Sequence, residues 1–148
     1  LSPVEVQRSY ARALLERLIR GAAEREQRAA GAELAEQLHR LRIDIKKVRY
    51  ALELFEPLLG EHFQGLNQRA TALQELLGAH HDLTVLGDIV AERASELAHK
   101  NRRTLSAGLR QAGAALAAEQ QAVLARFQER GFDSSGWLDE LQRALGPR

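Results

Sequence analysis

The sequence predicts an all-α protein: an antiparallel up-and-down four-helix bundle with a short extra C-terminal helix, forming one domain over residues 1–148. Three observations point there. Proline occurs only at positions 3, 57 and 147, so long stretches keep the backbone donors that a helix needs. Ala, Leu, Glu, Gln and Arg dominate, and all of them favour helices. No window alternates apolar and polar residues with β-branched or aromatic enrichment, so nothing reads as a strand. Long helices joined by short connections pack as a bundle.

The elements follow in order. Helix one starts at Ser2-Pro3, a capping residue followed by proline at the first helical position. It carries Val6, Tyr10, Leu14 and Leu18 at helical spacing and ends near Gly21 or somewhat later. The segment "GAAEREQRAAG" (21–31) has little apolar content and reads as a frayed end or linker. Helix two runs from about Ala32 to Leu59, closed by Pro57 and Gly60, and "EHFQG" is the next break. Helix three covers Leu66–Leu77, with Gly78 as its stop. Asp82 caps helix four, which extends toward Lys100. A last long helix spans Arg103–Arg130, "GFDSSG" is a turn, and "WLDELQRAL" forms the short terminal helix. Trp137 and Phe127 are expected to cover one end of the core, or the terminal segment docks on another half of the protein.

Composition narrows the function. The chain has no cysteine, which excludes disulfides and thiolate metal sites. No apolar run approaches the ~20 residues of a membrane span, and charged residues arrive at once after "LSPV", so a cytoplasmic setting is expected. Net charge is only +1, so attraction for a polyanion has to be local. Eighteen of the twenty-one basic residues are arginine, whose planar fork suits carboxylates and phosphates.

That local concentration is "LHRLRIDIKKVRY" (38–50), with five positive charges, a histidine and one acid. On a wheel of about 100° per residue with His39 at zero, Arg42, Lys46 and Arg49 fall near −60°, −20° and −80°. Leu34, Leu38, Leu41, Ile45, Val48, Leu52 and Phe55 gather on a separate stripe centred about 110° away. The apolar stripe anchors the helix, and the cations form a ridge about 15 Å long. Glu53, one turn after Arg49, is placed to orient that arginine. Asp44 points away, near 140°. Arg42 and Lys46 lack a partner on their own helix. A polyanion would supply one; so would solvent, or acids on other helices such as Glu75 or Asp82.

The spacing His39-x-x-Arg42-x-x-x-Lys46-x-x-Arg49-Tyr50, followed by "ALELF", resembles the motif of the CHAD family, a conserved histidine α-helical domain. Downstream, "LQELLGAHHDLTVL" (73–86) resembles that family's LQ-x-x-LG-x-x-x-D-L segment, with Asp82 at the acidic position. The resemblance implies an all-helical domain that binds inorganic polyphosphate in a basic channel without catalysis, metal or cofactor, in the cytoplasm and in association with polyphosphate granules. It implies a full domain about twice this length, built of two four-helix halves. With one copy of the motif and "KKVRY", this chain resembles the second half. Its partners are then polyphosphate and either another CHAD half or another copy of itself. Residue by residue, the resemblance puts Arg42, Lys46 and Arg49 on ligand-facing positions and His39 on the histidine that names the family. Lys47, near +80°, lies at the ridge's edge. Arg40, Arg8, Arg12 and Arg69 are secondary candidates, and Glu53 and Asp82 supporting residues.

Two rivals stand beside this reading. A helical interaction module would set the same basic face against an acidic protein or anionic lipid. An HD-type metal phosphohydrolase would use His80-His81-Asp82 with His39, His62 or Asp88, but no H-x-x-x-H spacing holds these on one helical face. Aromatic residues are too few around the ridge for sequence-specific nucleic-acid recognition.

Overall fold

The computed structural model of the chain describes residues 1–146. Every regular element among them is helical: α1 (Pro3–Arg28), a 3-10 turn (Gly31–Glu33), α2 (Leu34–Leu54), α3 (Glu56–Leu59), α4 (His62–His99), α5 (Arg103–Arg130) and α6 (Ser134–Leu145). They form two compact units, one of Leu1–Glu75 with the segment from Gly131 onward, the other of Leu76–Arg130. No described helix is long and apolar enough to cross a membrane. The all-helical class follows the composition; several boundaries do not.

In the first unit, α1 opens with a capping box that the Ser2–Glu5 spacing encodes. Ser2 Oγ accepts from the Glu5 N–H (3.2 Å), and the Ser2 N–H donates to the Glu5 carboxylate (2.7 Å). The helix does not end near Gly21. Residues 22–28 continue it because they have work on α2: Ala22 is fully buried, and Arg25 Nε donates to Asp44 Oδ2 at 2.5 Å. The buried stripe also differs from expectation. Ala11, Leu15, Ile19 and Ala22 face the core, while Val6 and Tyr10 are exposed. Both sets have helical spacing, and only the position of α2 selects between faces about 100° apart.

α2 packs antiparallel to α1, as the Arg25–Asp44 and Tyr10–Phe55 contacts require. Leu38, Leu41, Ile45, Val48 and Leu52 are buried, each contributing roughly 1.5–3 kcal/mol relative to exposure. The helix stops at Leu54, earlier than expected. Pro57 has no N–H, and its ring clashes with the carbonyl four residues back, so the chain breaks at Phe55 and restarts as α3. Gly60, at φ +57°, then turns the chain. α6 packs on α1 and α3. Asp133 caps it by accepting from the Gly136 N–H (3.0 Å), and Trp137 stacks edge-on against Phe132. At its other end, Arg12 Nη1 donates to the Gly146 carbonyl at 3.3 Å, a cation placed where helix carbonyls are unpaired. His62 Nδ1 meets Glu140 Oε1 at 2.6 Å, tying the first turn of α4 to α6. Arg143, then His62, hold the Glu140 carboxyl down at about 2.

The second unit is a helical hairpin. Ser106 Oγ donates to the Ala94 carbonyl (2.8 Å), Gln120 Nε2 to Thr84 Oγ1 (2.5 Å), and Gly113 lies against Val90. These contacts fix an antiparallel pair with small residues at the crossing. Asn101 makes the turn at φ 58°, a conformation asparagine tolerates. α5 has the expected bounds. The expected break between helices three and four is absent: α4 runs unbroken through Gly78 and Asp82. Gly78 keeps a negative φ, and a glycine ends a helix only where a left-handed turn follows. The strong helix formers Leu76, Leu77 and Ala79 around it carry the helix on. Asp82 is therefore an exposed mid-helix residue and caps nothing.

Candidate anion-binding site

α2 turns its apolar stripe to the core and leaves the other side to its charges. His39, Arg42, Lys46 and Arg49 fall at i, i+3, i+7 and i+10 on one unbroken helix, so they share a heading. Lys46 is exposed, and His39, Arg42 and Arg49 are half-buried. Lys46 is thus open to solvent, while the Nε groups of Arg42 and Arg49 are buried against the helix surface.

Their partners are few. Arg49 Nε lies 3.6 Å from Glu53 Oε1, the i,i+4 pair the spacing predicts, too long for a hydrogen bond. Arg42 and Lys46 make no ion pair and no hydrogen bond among the described residues. Arg42 Nε is buried without an acceptor among the described residues, an arrangement that leaves a desolvated donor unsatisfied. Tyr50 binds the ridge's end from its ring face, with Lys46 Nζ 5.7 Å and Arg49 Cζ 5.5 Å from the ring centroid. Cation–π contacts of this kind hold a cation in place without neutralising it.

The other candidates divide. Arg40 is paired with Glu36 at 2.7 Å and stands off the ridge. Arg12 is engaged with the end of α6 and with Ser9 Oγ (3.4 Å), a fastening role. Arg8 on α1 and Arg69 on α4 are exposed. Lys47 lies on the opposite flank from the ridge, beside Arg17, Arg25 and Asp44. Sequence reasoning missed the Arg25–Asp44 tie because residues 21–31 read as a linker. The signal was present in the i,i+4 series Arg17, Gly21, Arg25.

His80, buried in α4, has its pKa lowered by burial and, to a lesser extent, by His81. Among the described residues, no three His, Asp or Glu side chains converge as metal ligands would.

The family model for the CHAD domain matches residues 2–91 of this chain, a span that contains the whole ridge. No curated protein and no solved structure matches the chain.

Proposed function

The chain belongs to the CHAD domain family, and from that premise we propose that it binds inorganic polyphosphate along the His39–Arg49 ridge of α2, without catalysis. The observation that supports this best is the state of Arg42 and Lys46, two cations on one helix face with no acid beside them among the described residues. A run of like charges destabilises a helix by a few tenths of a kcal/mol per i,i+4 pair. A chain of phosphates reverses that sign.

The mechanism is charge pairing at several points. Each arginine offers a fork of charge-assisted hydrogen bonds to non-bridging phosphate oxygens, and Lys46 adds a mobile point charge. His39 adds a ring N–H donor at the start of the ridge. Neutralising several phosphates releases counterions, so affinity falls steeply with salt. A long chain engages several of these sites at once and outbinds short phosphates at equal concentration. A second CHAD half, on another stretch of chain or another copy of this one, would complete the basic channel around the ligand.

The test is a binding isotherm with long-chain polyphosphate at two salt concentrations, with tripolyphosphate and DNA as controls. The expected result is length-dependent, salt-sensitive binding that the Arg42→Ala/Lys46→Ala variant loses while its thermal stability stays intact. Equal binding of tripolyphosphate and the long chain would sink the proposal.

A further inference from the structure

The flank of α2 opposite the ridge holds a second cluster of cations, and it is a pocket. On α1, Arg17, Gly21 and Arg25 follow one another at i, i+4 and i+8, so they lie along one line of the helix. Asp44 and Lys47 of α2 face them, with Leu18 as the apolar wall, around a cavity of about 160 Å³. The missing side chain of Gly21 leaves the space: a Cβ there would meet nothing within 4 Å.

The charges do not balance. Three cations line the cavity with one carboxylate, a surplus of two positive charges. Asp44 takes only Nε of Arg25, at 2.5 Å, which leaves that guanidinium's two Nη groups unused among the described residues. Arg17 and Lys47 make no ion pair or hydrogen bond among the described residues. Lys47 stands about 100° around the helix from Lys46, so the pocket draws on neither Arg42 nor Lys46.

We propose that this pocket is a separate site for a compact, doubly charged phosphate-type oxyanion. Arg25 presents its free Nη groups, which suit tetrahedral oxygens. Arg17 and Lys47 complete the charge, and Asp44 holds Arg25 in place. The groove, about 160 Å³ and open to solvent on one side, has room for a single phosphate group. A monovalent carboxylate leaves one positive charge unmatched and binds more weakly. The site does not depend on the ridge.

The test is a calorimetric titration of the full chain with inorganic phosphate at low salt, with acetate as the competing carboxylate. Wild type saturates at one phosphate per chain and acetate does not displace it. Gly21→Leu, which fills the cavity and removes no charge, weakens phosphate binding by about tenfold or more, as does Arg17→Ala. Both variants keep their affinity for long-chain polyphosphate, and Arg42→Ala/Lys46→Ala keeps its affinity for phosphate. Circular dichroism confirms folding, and the exposed Arg17→Ala variant carries the test if Gly21→Leu does not fold. The proposal is overturned if wild type shows no saturable phosphate binding, if binding survives both Gly21→Leu and Arg17→Ala, or if it disappears in Arg42→Ala/Lys46→Ala. Polyphosphate affinity is read separately in each variant, so failure here and failure of the ridge are distinct results.

Discussion

On one flank of α2, Arg42 and Lys46 stand with no acid beside them among the described residues; on the other, Asp44 is already held by Arg25 of α1 at 2.5 Å. The same helix thus carries cations in two electrostatic settings. A neutralised cation fastens one helix to another, whereas cations left without a counter-charge retain attraction for an external anion. The one acid inside the basic segment does not weaken the ridge, because it points to α1. What decides a cation's role is which neighbour faces it, and position in the sequence does not report that.

The sharpest way to break this comparison is on the ridge itself. Replacing Arg42 and Lys46 by alanine should reduce long-chain polyphosphate affinity by about a hundredfold or more, since each charge-assisted contact is worth ~1.5–3 kcal/mol. Thermal stability should move by less than about 1 kcal/mol, since Lys46 is exposed and neither cation has an ion pair among the described residues to lose. Unfolding of that variant in a melting experiment would make the ridge a structural element. On the buried side of the same helix the outcome inverts: Ile45→Ala should lose about 2–5 kcal/mol of stability, measured by denaturant unfolding.

The opposite flank gives smaller effects. Asp44→Asn removes the charged partner of Arg25 at a partly exposed site and should destabilise by about 0.5–1 kcal/mol, measured by denaturant unfolding. Gly21→Ala lies mid-helix in open space and should stabilise by about 0.5–1 kcal/mol. A loss of stability there would mean that the gap is filled in the folded protein.

Acid weakens the fold through two groups. The Glu140 carboxyl sits at about 2 in the folded chain against an ordinary 4.5. A depressed carboxyl stabilises the fold above its unfolded value, and that contribution is lost as pH falls from 4.5 toward 2. His80, lowered from 6.5 by burial, also favours the neutral form, so stability declines as pH drops below 6.5. Acid titration followed by circular dichroism should show both losses, and Glu140→Gln should flatten the lower one.

Local chemistry made much of this legible. The periodicity of 34–55 separated α2 into an apolar stripe and a basic ridge, and every residue of the stripe between Leu38 and Leu52 is buried as that pattern requires. The Arg49–Glu53 pair and the bounds of α5 were equally readable, since both depend on residues within a few turns of one another. The register of α1, the unbroken course of α4 and the Arg25–Asp44 tie were not.

By itself, then, the sequence determined that the chain is helical and that α2 has two unlike sides, because helix propensity and 3.6-residue periodicity act over neighbouring residues. Only the tertiary structure decided which of two apolar lines on α1 is buried, whether Gly78 interrupts a helix, and which cations meet an acid. Those outcomes rest on contacts between residues far apart in the chain, where a rotation of one residue, about 100°, exchanges a core position for a surface one.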